Sequence, residues 1–267
     1  MRRKQTSHPL PACTFRWHKR VLRPDDAVRY IDAAGFCMLF PIKDVPLPSL
    51  YYAISHRNPK LDFVWNKYAE MLWKWKSSLP QRKRAFYAKY FRGRGTLISL
   101  QQLPYFLAMR ETAVEPGDHE NFYADGRISE DARAIWQALA THGPLATLEL
   151  RNVSKLDSVA GNVRFKRAIG ELQGLLVVVH FGTEQETAAW ASGKFELTCR
   201  AFPKETAAAR DITPEIARRT LAAKFMELCP EAQPEHLARL FGWPKAEAIA
   251  ALAPADAAPI ARAAAGQ

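Results

Sequence analysis

Cysteine is scarce in this sequence, and its four residues are far apart, at Cys13, Cys37, Cys199 and Cys229. No C-x-x-C pair is present, which argues against a zinc ribbon, and the wide spacing argues against a disulfide framework. The seven histidines are scattered, and none pairs at a spacing typical of metal ligands. We therefore expect a cytoplasmic protein of a reducing compartment, with no metal and no cofactor.

Long apolar runs and common catalytic motifs are also missing. No apolar segment approaches the roughly 20 residues that a membrane span needs, and the first residues are basic and proline-containing, unlike a secretory signal. Walker, G-x-G-x-x-G, H-E-x-x-H and G-x-S-x-G motifs are absent. The sequence does contain 48% hydrophobic and 11% aromatic residues, which is enough for packed cores and argues against wholesale disorder.

Acidic residues are rare in the first part of the chain. Residues 1–110 hold 21 Lys and Arg against 6 Asp and Glu, a charge of +15, whereas the remaining 157 residues carry −4. Such an asymmetry favours a polyanionic partner, and we expect double-stranded DNA rather than a membrane surface. The alternative is a generically basic protein with no such partner. The sequence leaves a protein partner and the oligomeric state open.

The densest basic segment spans residues 74–94, where eight cations and no acid are interleaved with aromatic residues. The cations are Lys74, Lys76, Arg82, Lys83, Arg84, Lys89, Arg92 and Arg94. Cations of this kind neutralise phosphates, and aromatic faces stack on bases. The spacing of the aromatic residues at 86, 87, 90 and 91 instead favours a helix with these rings in a core. We expect these aromatics to be core residues and the cations to bind DNA.

Hydrophobic patterning predicts a mainly α (α+β) protein with tandem winged-helix-like units, a basic helical N-terminal part and a small β wing. The predicted divisions are a basic arm at 1–20, a basic helical domain at 21–125, a winged helix at 126–203, a second winged-helix-like helical unit at 204–253, and a disordered Ala/Pro tail at 254–267.

Residues 126–203 carry the winged-helix pattern. Helices are expected at 130–142, 147–152 and 160–175, followed by strands at 176–181 and 195–202. On the third helix Phe165, Ile169 and Leu172 form the inner stripe. Outside that stripe lie Asn162, Arg164, Lys166, Arg167 and Gln173. We expect Arg164, Lys166 and Arg167 to bind DNA, although the same pattern also serves protein contacts.

Two polar residues are candidates for catalysis. Asp44 is a lone acid beside Lys43, directly after an apolar run in the most basic part of the chain. A carboxylate near bound DNA could position a water molecule or stabilise a sugar cation. Gln102 could also order a water molecule. Asp44 could equally be an ordinary loop or salt-bridge residue.

Several segments resemble the AlkZ-related family, relatives of bacterial crosslink-repair DNA glycosylases. They are Arg29–Lys43, Leu97–Leu100 with Leu103–Phe106, Gly143–Leu145 with Leu148–Arg151, and Leu240–Trp243, so the resemblance covers about 22–245. It implies a tandem winged-helix fold and DNA binding. The glycosylases excise alkylated purines with a Gln-x-Gln or Gln-x-Asp motif shortly after a helix-ending glycine, and they end in a β-barrel.

The family's catalytic motif is absent here. The positions after Gly35 that correspond to it are occupied by Met38 and Phe40, which cannot orient water or stabilise a positive charge, and no strands are expected after residue 203. We therefore expect a bacterial DNA-binding protein of the repair class that lacks the inherited catalytic pair. One alternative is a divergent glycosylase using Asp44 or Gln102, with a base flipped against Phe36–Pro41 and Trp73–Trp75. Another is a winged-helix interaction or regulatory protein.

Overall fold

The computed structural model describes residues 11–55, 65–186 and 191–253. Within these ranges the chain forms thirteen α-helices and two three-stranded antiparallel sheets. The predicted mainly α (α+β) class is therefore confirmed. The predicted tail at 254–267 and the first half of the predicted arm lie outside the described residues.

The N-terminal part combines five helices with one sheet. Its elements are α1 Pro24–Ala34, β1 Phe36–Met38, α2 Leu50–Ser55, α3 Lys67–Gln81, β2 Phe86–Lys89, β3 Gly95–Ile98, α4 Leu103–Arg110 and α5 His119–Ala124. Helix α1 begins at Pro24, where the Asp26 carboxylate accepts the Arg23 N–H at 3.1 Å. It ends at Gly35, whose φ of +75° is unfavourable for other residues.

Strand β3 lies at the centre of the first sheet, in the order β1-β3-β2. The helix predicted around residues 86–91 is therefore wrong: Phe86 to Lys89 form a strand that pairs with β3, and a 3-10 turn follows at Phe91–Gly93. Three consecutive residues of β2 are buried, so the aromatic spacing reflects a strand covered on both faces. The core placement of all four aromatics is confirmed.

The middle part follows the predicted order of helix, helix, helix and two strands, with one extra short strand. Its elements are α6 Glu130–His142, β4 Leu145–Ala146, α7 Thr147–Val153, α8 Val159–Gly174, β5 Val178–Glu184 and β6 Ser192–Leu197. The sheet order is β4-β6-β5, all antiparallel. Ser129 caps α6 by accepting the Ala132 N–H, and Ser158 caps α8 by accepting the Gly161 N–H.

Three details of the middle part differ from prediction. The first strand lies at 178–184 and not at 176–181. The returning strand lies at 192–197 and not 195–202, because Thr198 begins a short helix. Gln173 is buried rather than on the outer face of α8, since its side-chain oxygen accepts the Lys89 N–H at 3.1 Å. This hydrogen bond joins α8 to the edge of the N-terminal sheet.

Five helices complete the described chain: α9 Thr198–Ala201, α10 Pro203–Arg210, α11 Pro214–Leu228, α12 Pro234–Phe241 and α13 Lys245–Leu252. The last three lie within the segment 204–253 that was predicted to be helical. Their buried side chains join those of the N-terminal sheet in one core, where the Phe241 ring contacts the rings of Phe36 and Phe91. The middle part has a separate core around Trp136. One face of the N-terminal sheet therefore packs on the C-terminal helices, and side chains of α1, α2 and α3 cover its other face.

Candidate nucleic-acid interface

A cleft of about 870 Å³ opens between the N-terminal part and the middle part. One wall consists of residues 39–43, helix α3 and strands β2 and β3. The other consists of Thr147, two residues of α8, and strands β5 and β6. The cleft depends on the tertiary fold, since its walls are about 100 residues apart in the chain.

Aromatic rings line much of the cleft. They belong to Phe40, Tyr52, Trp73, Tyr87 and Phe195. Trp73 is 51% exposed, and its ring contacts that of Trp65, which is 56% exposed, at 5.7 Å between centroids. Large rings that remain open to solvent at a cleft provide surfaces on which bases can stack.

The charged residues that line the cleft are all basic. They are Lys43, Lys76, Lys89 and Arg94, and the described lining contains no Asp or Glu. None of the four forms an ion pair within the described ranges. Lys76, Lys89 and Arg94 belong to the predicted DNA-binding set, whereas Lys43 was singled out only as the neighbour of Asp44. Uncompensated cations around a concave surface attract anionic ligands.

Lys76 is the most buried of these cations. Its Nζ lies 3.6 Å from the centroid of the Trp73 ring, because residues three apart on α3 share a face, and 6.0 Å from that of Tyr87. Desolvation by burial, together with the charge of Lys89, lowers the pKa of Lys76 to about 8. A lysine in this position holds a substantial fraction of neutral amine near physiological pH.

His180 on β5 forms part of the floor of the cleft. Its Nε2 lies 2.9 Å from the Ser77 Oγ, and its ring contacts those of Tyr87 and Phe195 edge-on. Burial, and then the charges of Lys76 and Lys89, lower the pKa of His180 to about 3, so it is neutral in the folded protein. His180 was not predicted as a site residue, although a lone polar residue in the apolar run 176–181 was a signal for it.

The other predicted cations of residues 74–94 lie outside the cleft. Arg82, Lys83, Arg84 and Arg92 are exposed around the turns that flank β2. Arg84 contacts the Asp25 carboxylate and Lys74 contacts that of Glu70, both at 3.0 Å. Exposed pairs of this kind contribute only about 0–1 kcal/mol, so they leave these cations free to exchange partners.

On α8, all three predicted DNA-binding residues are exposed. Arg164 contacts the Asp131 carboxylate of α6 through two hydrogen bonds, whereas Lys166 and Arg167 form no ion pair within the described ranges. The outer face of α8 also carries Val163, 72% exposed, and Val159 at its start is 93% exposed. This face is therefore partly apolar.

The two catalytic candidates do not line the cleft. Asp44 is exposed, with a φ of +64°, next to the lining residue Lys43. Gln102 precedes α4, and its buried Oε1 has no hydrogen-bond partner in the described chain. Met38 is fully buried in β1, and Phe40 lines the cleft.

Neither a metal centre nor a membrane-crossing helix occurs in the described ranges. No group of three His, Cys, Asp or Glu side chains there could hold a metal ion. No helix there combines the length and apolar character needed to cross a membrane.

The sequence was compared with known proteins, solved structures and protein families. No match was found among curated proteins or among solved structures. The model of a family described as AlkZ related, however, matches residues 21–242, which include every residue of the cleft and all of α8. The match confirms the resemblance seen in the sequence, and the chain belongs to the AlkZ-related family.

Proposed function

We propose that this protein binds double-stranded DNA, with the cleft as the centre of its binding surface. The observation that carries the proposal is the lining of the cleft, where four cations without an acidic partner in the described chain accompany five aromatic rings, of which Trp73 is exposed. Family membership supports it, because the family is related to DNA-repair glycosylases. Phosphates would contact Lys43, Lys89 and Arg94, while an unstacked base would pack against Trp73.

The middle part supports a second contact with the duplex. Its order of α6, β4, α7, α8, β5 and β6, with the sheet order β4-β6-β5, is the arrangement expected of a winged helix. In this proposal Arg164, Lys166 and Arg167 of α8 contact DNA. The exposed Val159 and Val163 favour the alternative that α8 docks a protein, and a pull-down that survives nuclease and high salt would support that alternative.

Salt dependence tests DNA binding. Affinity for a fluorescein-labelled duplex should fall steeply between 50 and 200 mM salt, because roughly 4–8 phosphate contacts release counterions. Fluorescence anisotropy measures it. An affinity that does not depend on salt would reject the proposal.

Base excision stays a second proposal, resting on Asp44. Its neighbour Lys43 lines the cleft, so a nucleotide flipped at this edge of the cleft would lie near Asp44. We expect wild-type protein, incubated with alkylated or crosslinked duplex, to produce abasic sites, and Asp44→Asn to reduce that rate by about 100-fold or more. Gln102→Ala tests the other candidate in the same assay. Full excision by Asp44→Asn would exclude Asp44, and no excision by wild type would exclude the activity.

A further inference from the structure

Lys76 has surroundings that differ from those of the other cleft cations. Lys43, Lys89 and Arg94 are exposed, whereas Lys76 is half-buried against Trp73 and Tyr87. The described lining offers no carboxylate to hold its charge. Phosphate binding alone would be served by an exposed lysine, so burial of this amine calls for another explanation.

Two effects act on the Lys76 amine in opposite directions. The contact of its Nζ with the Trp73 ring, 3.6 Å from the ring centroid, favours the ammonium form. Burial and the charge of Lys89 favour the neutral form, and they prevail, with a pKa of about 8. A lysine becomes a nucleophile toward carbonyl groups when it is desolvated or placed beside another cation, and both conditions hold here.

We propose that Lys76 captures aldehydes on DNA by forming a reversible imine with C1′ of a ring-opened abasic deoxyribose held in the cleft. The inference rests on the proposed DNA binding and adds a covalent step to it. An abasic site supplies the one ordinary carbonyl carbon of the DNA backbone. Its flanking phosphates suit the three exposed cations of the cleft, and the neighbouring bases suit the ring of Trp73.

The step needs no oxidant, reductant or metal. The Nζ lone pair of neutral Lys76 attacks the C1′ aldehyde carbon, the carbonyl π electrons move to oxygen, and proton transfer gives a carbinolamine. Loss of that hydroxyl as water leaves the C1′=Nζ double bond. Hydrolysis reverses the sequence and restores both the aldehyde and the amine.

Borohydride trapping tests the proposal. Full-length protein is mixed with a duplex that contains one abasic site, and sodium borohydride reduces any imine to a stable secondary amine. We expect a crosslinked band that peptide mapping assigns to Lys76. Lys76→Arg keeps the charge but cannot form the imine, so its yield should fall at least about tenfold. The exposed Lys204→Arg of α10 is the matched control and should crosslink as wild type does.

Anisotropy with the same duplex separates this inference from DNA binding itself. If Lys76→Arg no longer crosslinks at a protein concentration that saturates the duplex by anisotropy, the capture role is supported. If wild type binds and does not crosslink, or if the crosslink maps to another amine, the role of Lys76 is refuted while DNA binding stands. If wild type does not bind, the proposed function fails as well.

The pH dependence of trapping provides a second readout. The titratable and charged groups that line the cleft with Lys76 are Lys43, Tyr52 of α2, Tyr87 and Lys89 of β2, Arg94, and His180 of β5. His180 is neutral above its pKa of about 3, and burial raises the pKa of Tyr87 to about 12, so neither changes charge between pH 6.5 and 9. Trapping should therefore rise across this range, with its midpoint near pH 8, the pKa of Lys76. A yield that is constant from pH 6.5 to 9 would contradict the role of Lys76.

Discussion

At the residue scale, the packing around the cleft keeps the His180 ring buried and uncharged. The ring is buried between Tyr87 and Phe195, and Gly193 packs so closely on it that an added Cβ would lie 2.7 Å from the His180 Cε1. No room is left for hydration of a charged imidazole. The Ser77 hydroxyl lies within hydrogen-bond distance of one ring nitrogen, Nε2, and so fixes the orientation of the ring.

This burial predicts acid sensitivity. The pKa of His180 is about 3 in the folded protein and near the ordinary 6.5 in the unfolded chain, so the unfolded chain binds the proton more readily. The free energy of unfolding should therefore fall by about 1.4 kcal/mol per pH unit between pH 6.5 and 3 from this residue alone. Urea unfolding at pH 7, 5 and 4 measures the effect.

His180→Gln should flatten that acid dependence, because an amide can still reach Ser77 but does not titrate between pH 7 and 4. The exposed His142→Gln at the end of α6 serves as its control and should retain the wild-type dependence. Equal pH dependence in wild type and His180→Gln would show that this histidine is not held neutral.

The sequence predicted residue burial better than residue chemistry. The four aromatics of 86–91 are buried as expected. The half-burial of Lys76 was not foreseen, because it depends on Tyr87 and His180, which reach it from other elements. The local sequence around a lysine does not show whether residues from distant parts of the chain will bury it.

At the element scale, the basic segment 74–94 divides into three surfaces. One group, Lys76, Lys89 and Arg94, lines the cleft, while Lys74 lies outside it and contacts Glu70. A second, Arg82 to Arg84, lies beyond the end of α3, and the third is Arg92 in the 3-10 turn. The change from helix to strand at Phe86 causes this division, since side chains alternate on a strand and do not follow a helical stripe.

Charge reversal in the second group tests its contribution. Replacing Arg82, Lys83 and Arg84 with glutamate should weaken binding to all duplex sequences alike. It should also reduce the slope of log K against log salt by about 1 for each phosphate that the variant no longer binds. The fold should be retained, since only the exposed ion pair with Asp25 is removed. Anisotropy with several duplexes measures both effects.

Arg164→Ala and Arg167→Ala test whether the contacts of α8 differ in kind from those of Arg82, Lys83 and Arg84. If α8 reads bases, their effect should depend on the duplex sequence. A sequence-dependent weakening by the Arg82–Arg84 variant, or no weakening at all, would contradict phosphate binding by this turn.

At the scale of the whole molecule, the sequence indicated the helical class, the order of elements in 130–197 and the family. It could not indicate the cleft, whose walls come from residues 39–95 and 147–195. Nor did the pattern show that Phe241 would pack on Phe36 and join the first and last parts in one core. Local periodicity shows which face of an element is apolar, but it does not show which other element that face packs against.

The most direct test of the central claim compares salt slopes in one DNA-binding titration. Lys89→Glu with Arg94→Glu reverses two cleft cations, whereas Lys204→Glu with Arg219→Glu makes the same charge change on the exposed surfaces of α10 and α11. For the cleft variant, anisotropy should show that the slope of log K against log salt concentration falls in magnitude by about two and that most of the affinity for DNA is lost. For the surface variant, both the slope and the affinity should stay near the wild-type values. Equal slopes for the two variants would contradict DNA binding in the cleft.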